Sequence, residues 1–285
     1  MKLLVTGFKG QLGYDIVKEA KLRNIEAVGV DIEDMDITDQ EEVEQVITSG
    51  NYDAVIHCAA YTAVDRAEEE KEVCSLVNVF GTKHIVNVCK KLDIPMMYFS
   101  TDYVFDGEGD CYFEVDDPKK PLSEYGKTKY EGELAVQQLV KHFIIRISWV
   151  FGINGHNFIK TMLKLSETRN ELNVVCDQIG SPTYTYDLAK LTLDMITSDK
   201  YGTYHATNEN ICSWHEFACE IFKQANIDMK VNPITSDQYP QKAKRPKNSR
   251  MSKKALDDAG FDRLPTWQDA LSRYLIELNV KKSCE

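Results

Sequence analysis

The sequence predicts an α/β protein built on a doubly wound parallel sheet, and three observations carry that prediction. A strand runs into glycines at three-residue spacing and then into a helix, a second strand ends in an acidic residue, and strand and helix patterns alternate four times with short joins before residue 101. Such alternation is the mark of a parallel sheet with right-handed crossovers.

The first strand, Leu3-Leu4-Val5, meets Thr6-Gly7 and then Gly10 and Gly13, and helical periodicity follows from Gln11 to Ala20. A strand that turns on glycines into a helix aims free N–H groups and a positive helix end at one point, which suits a pyrophosphate. Gly7 makes the turn, Gly10 lets a diphosphate approach the backbone, and Gly13 lets the helix press on the strand. This is a Rossmann-type dinucleotide cradle. Glycines also sit in ordinary turns, so context matters. The second strand, Glu26 to Val30, ends in Asp31, about 20 residues past the cradle, where an acidic side chain takes the adenosine ribose hydroxyls.

Met35-Asp36-Ile37 then leads to Thr38-Asp39-Gln40-Glu41, a capping box that opens a helix to about Ser49. Asp53 to Ala60 reads as a third buried strand whose small last residues let a flat adenine or ribose lie on the backbone. Helical spacing runs from about Asp65 to Leu92, with Glu68, Glu69 and Glu70 as a solvated first turn and not a metal site. Pro95 to Ser100 is the fourth strand. A loop from Asp106 to Pro121 precedes a long helix from about Ser123 to Lys141, and Phe143 to Ile147 is the next strand.

Beyond it the alternation loosens. Helices are expected near Asn157–Glu167 and Tyr186–Thr197, short strands at Asn173–Val175 and Gly202–Ala206, and a capping box, Ser213-Trp214-His215-Glu216, opens a helix to Gln224. A basic patch (Lys242, Lys244, Arg245, Lys247, Arg250) precedes helices near Ser252–Ala259 and Trp267–Leu278. Residues 1–150 are therefore expected to form the dinucleotide-binding domain. Residues 151–285 are expected to form a smaller, mainly substrate-binding C-terminal cap, partly interleaved with it.

The 285 residues, 43% apolar and 28% charged, suit one large domain with such a cap and exclude disorder or a fibre. A net charge of −11 with interspersed signs leaves no basic face for nucleic acid. Eight cysteines without C-x-x-C spacing read as reduced, buried thiols and not as a disulfide framework or zinc site. No stretch of about 18 uncharged apolar residues occurs, so no membrane partner is expected and the protein is expected to be soluble and cytoplasmic.

Ligands of an open parallel sheet sit at the carboxyl ends of its strands. Ser100-Thr101-Asp102 lies there, and Tyr125-Gly126-Lys127-Thr128-Lys129 follows on the next helix. Tyr125 and Lys129 are four residues apart and share a helix face. The ammonium is expected to lower the phenol's pKa so that Tyr125 gives or takes a proton near neutrality, with the Thr101 hydroxyl holding a carbonyl oxygen.

With these residues in place, the sequence resembles the extended short-chain dehydrogenase/reductase superfamily, and within it the sugar-nucleotide reductases. The segments that carry the resemblance are T-G-x-x-G-Q-L-G at 6–13, A-A-Y-T-A-V-D at 59–65, S-T-D-Y-V-F at 100–105, Y-G-K-T-K at 125–129, R-I-S-W-V-F at 146–151, N-F-I-K-T-M-L at 157–163, D-Q-I-G-S-P-T at 177–183 and R-P-K-N-S-R at 245–250. The resemblance implies hydride delivery from NADPH or NADH to C4 of a 4-keto-6-deoxy sugar on a dTDP carrier. Tyr125 would protonate the alkoxide, Lys129 would hold the nicotinamide ribose, and Thr101, with Asp102 and Val104 beside it, would bind the keto sugar.

By the same resemblance Trp149 would pack on the sugar with Arg146 nearby. Gly7, Gly10, Gln11, Leu12 and Gly13 would cradle the diphosphate, Asp31 the ribose, and Asp36 and Ile37 the adenine. Ala59, Ala60, Tyr61 and Phe99 would line the rest of the cofactor, and Asn78 matches a proton-relay position. Arg245 and Arg250 fall in a matched segment, and their guanidinium forks suit a substrate diphosphate. Asp31 repels a 2′-phosphate while Lys9 offsets it, so NADPH and NADH both remain open. No metal is expected, and the protein is expected to be a monomer or homodimer. Two rival readings are a non-catalytic NADP-binding regulatory subunit like the β subunit of methionine adenosyltransferase, and a nucleotide-sugar epimerase or dehydratase that regenerates its cofactor.

Overall fold

The computed structural model describes residues 1–239 and 241–284. Strand β1 (Lys2–Thr6) turns at Gly7 into α1 (Gln11–Leu22), and β2 (Glu26–Val30) returns parallel to β1. Helix α2 (Gln40–Ser49) is capped by Asp39 and not by the expected Thr38: the Asp39 carboxylate accepts from the N–H groups of Glu41 and Glu42. A carboxylate meets both the open N–H groups and the positive helix end, whereas the Thr38 hydroxyl is engaged by Asp36 at 2.8 Å. Strand β3 (Ala54–His57) takes the other edge of β1.

The single helix expected from Asp65 to Leu92 is broken. Helix α3 (Val64–Ala67) stops at the Glu68–Glu70 run, and α4 (Lys71–Ser75) passes through a π-helical turn, Leu76–Gly81, into α5 (Thr82–Leu92). Acidic residues favour a helix start over a helix interior, and π turns gather at functional sites. After β4 (Met96–Thr101), α6 (Glu124–Val136) starts at Ser123, whose hydroxyl accepts the Gly126 N–H at 3.1 Å, and it ends five residues before the expected Lys141. Strand β5 (His142–Ile147) follows.

The looser part contains β6 (Val150–Phe151), α7 (Phe158–Ser166), β7 (Glu171–Val175), β8 (Ile179–Gly180), β9 (Thr183–Tyr184), α8 (Thr185–Ile196), β10 (Gly202–His205), β11 (Cys212–Ser213), α9 (Trp214–Gln224), β12 (Lys230–Ile234), α10 (Lys254–Ala259) and α11 (Trp267–Cys284). Strand β12 was not expected, because Asn232 and Pro233 interrupt its apolar pattern. It pairs with β7 alone, an edge position that tolerates proline.

The main sheet is wholly parallel, in the order β10-β5-β4-β3-β1-β2. Its strands alternate between two apolar layers, as a pleat with both faces covered requires. Leu3, Val5, Ile56, Met97, Phe143 and Ile145 pack toward α1 and α8. Leu4, Val55, Met96, Tyr98 and Ile144 pack toward α2, α5 and α6. A third cluster, with Phe151, Ile159, Phe217 and Tyr274, forms the core of the C-terminal region. That region also returns to the sheet, since α8 covers α1 and β10 pairs with β5. The order in which strands are added reverses between β1 and β3, and a crevice opens there at the strands' carboxyl ends.

Among the described residues no helix is long and apolar enough to cross a membrane. The seven described cysteines are free thiols: Cys74, Cys89 and Cys212 are buried, Cys58 and Cys176 half-buried, and Cys111 and Cys219 exposed. The Cys284 side chain lies outside the described residues.

Candidate active site

One cavity of about 900 Å³ fills the crevice and runs from the glycine turn to the C-terminal region. At one end Gly7 adopts φ +64° and Gly10 caps α1 with no side-chain bond, so the N–H groups of the first helical turn have no side-chain cap. A Cβ on Gly10 would meet only the Gly7 carbonyl oxygen, at 3.1 Å, leaving the cavity side open to a phosphate. Gly13 is different: it does not line the cavity but lets α1 lie on the turn, where a Cβ would come 2.5 Å from the Gly7 oxygen and 2.7 Å from Phe8 Cα. Gly13→Ala is expected to strain the turn on the order of 1–3 kcal/mol, about tenfold or more in dinucleotide affinity. Fluorescence titration with a reduced pyridine nucleotide checks this.

Gln11 and Leu12 line the same end, and the Gln11 amide oxygen accepts from Gly152 N–H at 2.9 Å, tying the cradle to β6. Asp31 sits at the end of β2, accepting from the Lys9 and Ile32 N–H groups at 3.1 and 3.0 Å. The Lys9 ammonium is bound by Glu33 at 2.7 Å. Asp36, Ile37, Ala59, Ala60 and Phe99 complete this wall. The donor set thus fits a dinucleotide: open amides at the diphosphate end, a carboxylate for a ribose diol, and an apolar slot beyond.

At the far end Thr101, Asp102, Tyr125 and Lys129 come together on the cavity wall. Their ionisation differs from the expected one. Burial, with Asp102 nearby, holds the Tyr125 phenol well above its ordinary range. The buried Lys129 ammonium lies over the Tyr98 ring, 4.0 Å from its centroid, and burial lowers its pKa to about 7. Lys129 therefore does not make the phenol acidic in this state, and Tyr125 is a loaded proton donor at neutral pH. Asp102 is buried and pushed up to about 6, against hydrogen bonds from Ser249 and Thr101 that favour its charge.

Several expected residues lie elsewhere. Arg146 is fully buried on the α6 face of the sheet, where Glu133 accepts from its Nε and Nη2 at 2.8 Å each. The pleat explains this, since Ile144 and Arg146 share one face while Ile145 and Ile147 share the other. Val104 is a core residue packed with Phe105 and Met251. Arg245 donates to Asp65 at 2.7 Å and to Tyr103 Oη at 3.1 Å, and Arg250 donates to Asn248 at 2.9 Å; neither lines the cavity. The Asp65 carboxylate thus engages Arg245, which was expected to hold a substrate diphosphate. Asn78 is buried behind the wall, clasping the Tyr61 backbone (2.8 Å from N–H, 3.2 Å to C=O) and Thr128 Oγ1 at 3.1 Å. The Tyr61 side chain turns away to Glu70.

Other wall residues were not singled out as ligands in the sequence. Gln178 and Ser249 lie within the matched 177–183 and 245–250 segments, Pro246 follows Arg245, and Trp214 was read only as part of a capping box. Trp149 does line the cavity, stacked on Trp214.

Residues 1–280 match the RmlD substrate binding domain. The chain is 40% identical, over 97% of both chains, to the spore coat polysaccharide biosynthesis protein SpsK of Bacillus subtilis. It superposes with TM-score 0.96 and 42% identity on a dTDP-4-dehydrorhamnose reductase from Clostridium acetobutylicum, covering 98% of this chain and 100% of that one. It superposes with TM-score 0.95 and 38% identity on the dTDP-4-dehydrorhamnose reductase of Bacillus anthracis in complex with NADP, covering 97% and 100%.

Proposed function

The chain belongs to the RmlD substrate binding domain family, and from that premise we propose that it reduces dTDP-4-dehydro-L-rhamnose (dTDP-6-deoxy-L-lyxo-4-hexulose) to dTDP-L-rhamnose with NADPH or NADH. The observation that carries the reading is that one cavity has an uncapped glycine turn at one end and Thr101, Tyr125 and Lys129 at the other. A bound reduced nicotinamide supplies the hydride. The open amides of α1 hold its diphosphate end, and Asp31 takes the adenosine ribose. The Thr101 hydroxyl, which donates to Asp102 in the free protein, turns its proton to the keto oxygen beside the Tyr125 hydroxyl, which gives its own proton as negative charge develops on that oxygen. A phenol kept protonated by burial suits this direction, because an acid must be loaded before turnover. Trp149 closes the sugar side against water.

Lys129 carries a pH prediction. Its ammonium would donate to the nicotinamide ribose hydroxyls, which favours the charged form, whereas burial in the free protein lowers its pKa to about 7. Binding at pH 7–8 is therefore expected to take up a proton, and affinity to weaken as pH rises above about 7. In stability the sign is opposite: the unfolded chain holds more protons on this lysine between about 7 and 10.5, so the nucleotide-free fold gains stability from it as pH rises through that window. Titration calorimetry in two buffers of different ionisation heat measures the uptake. Equal apparent heats, or uptake that survives Lys129→Met, count against the assignment.

The activity test is a spectrophotometric assay with the keto sugar. Stoichiometric NAD(P)H oxidation supports the reductase. Saturable nucleotide binding without turnover supports a regulatory subunit instead, and sugar conversion without net oxidation supports an epimerase or dehydratase. All seven described cysteines are free thiols, which fits a reducing cytoplasm, and we take the working form as a monomer or homodimer.

A further inference from the structure

Two indoles meet at the cavity. Trp149 follows β5 with its backbone in the left-handed region, φ +50°, which bulky residues avoid and which persists only where surroundings over-determine it. Here Thr183 fixes it from both sides, its hydroxyl donating to the Ser148 carbonyl at 2.6 Å and its N–H to the Trp149 carbonyl at 3.1 Å. The twist lays the indole over Gly180, where a Cβ would come 3.0 Å from the ring, and against Trp214.

The Trp149 and Trp214 rings stack with centroids 3.8 Å apart and planes inclined by 16°. Trp214 is placed independently of Trp149. It is the first residue of α9, set by the Ser213–Glu216 capping box, and β11 brings Cys212 opposite Gly180 in an antiparallel pair. Phe158, 4.6 Å from Trp214, supports it from the C-terminal core. At 3.8 Å the two indoles leave no room for a ring between them, so a ligand meets the pair from the cavity that both line.

We propose that Trp214 is a positioning residue: its stack clamps the strained Trp149 indole so that the part lining the cavity receives the pyranose ring of the nucleotide sugar. The inference rests on the reductase reading above. Holding Trp149 before the ligand arrives removes an ordering cost from binding, so the effect belongs to substrate affinity and not to the chemical step.

The test compares wild type, Trp214→Leu and Trp214→Phe by steady-state kinetics and circular dichroism. Trp214→Leu is expected to raise the keto-sugar KM by about tenfold, with kcat and NADPH affinity nearly unchanged, and Trp214→Phe to recover most of that loss by restoring a ring. Wild type is expected to show the far-ultraviolet exciton couplet of stacked indoles, lost in both variants and altered by dTDP-L-rhamnose. Should Trp214→Leu fail to fold, Trp214→Phe still decides, through a smaller rise in KM and loss of the couplet. An unchanged KM in an active, folded Leu variant, a fall confined to kcat, or a wild type without the couplet overturns the proposal. A wild type that holds NADPH but never reduces the keto sugar overturns the reductase reading instead; the couplet's response to dTDP-L-rhamnose then decides the positioning role.

Discussion

Replacing Tyr125 by Phe is expected to cut kcat for the keto sugar by about 10²-fold or more while leaving NADPH affinity within about twofold. The substitution removes one oxygen and keeps the ring, which packs edge-on against Tyr103 with centroids 5.5 Å apart. The other titratable groups at this end have other parts: Asp102 titrates near 6 and is mostly ionised at pH 7, and Lys129 is assigned to the nicotinamide ribose. Because burial holds the phenol well above its ordinary range, the alkaline side of the kcat profile is not expected to fall through phenol ionisation near neutrality. A variant with wild-type kcat would remove Tyr125 from the chemistry.

The second large effect is on stability. Arg146→Met is expected to destabilise the fold by about 3–5 kcal/mol, because it strands Glu133 as an unpaired charge in the interior. Both side chains are essentially inaccessible, at 1% and 0% exposure. Arg146 further donates to the Val115 carbonyl at 2.9 Å and to His205 Nε2 at 3.3 Å, and lies 5.2 Å from the Phe105 ring centre. One guanidinium thus joins α6, β10 and the long loop after β4. Denaturant or thermal unfolding measures the loss, a midpoint shift of roughly 10 °C. Adding Glu133→Leu to Arg146→Met is expected to recover much of it, since an apolar pair of similar volume needs no partner. A single mutant as stable as wild type would show that water reaches Glu133.

Legibility in the sequence followed the range of the determining interactions. Gly7 and Gly10 were readable because a positive φ and a close approach are demands of the local backbone, and Tyr125 with Lys129 because one helical turn sets their spacing. The ionisation of that pair was not readable, since it depends on the burial of both groups and on Asp102 beside the phenol. Arg146 was assigned by motif, although the alternation Ile144, Ile145, Arg146, Ile147 already set it on the face opposite the cavity. Asn78 needed the π-helical turn to swing it inward, a distortion that no periodicity announces. For Trp214 the capping box gave the helix start correctly, but its place at the cavity depends on the pairing of β8 with β11, some thirty residues apart.

The late return of β10 and α8 governs how the protein can be made. Until residues 185–205 leave the ribosome, β5 keeps a raw hydrogen-bonding edge and α1 an uncovered apolar flank, so the nascent polypeptide carries a half-built layer until residue 205 has been translated. A product terminated near residue 150 would keep that edge permanently and would seek strands from other molecules. Premature termination there would yield aggregate for proteolysis, and no free-standing nucleotide-binding fragment.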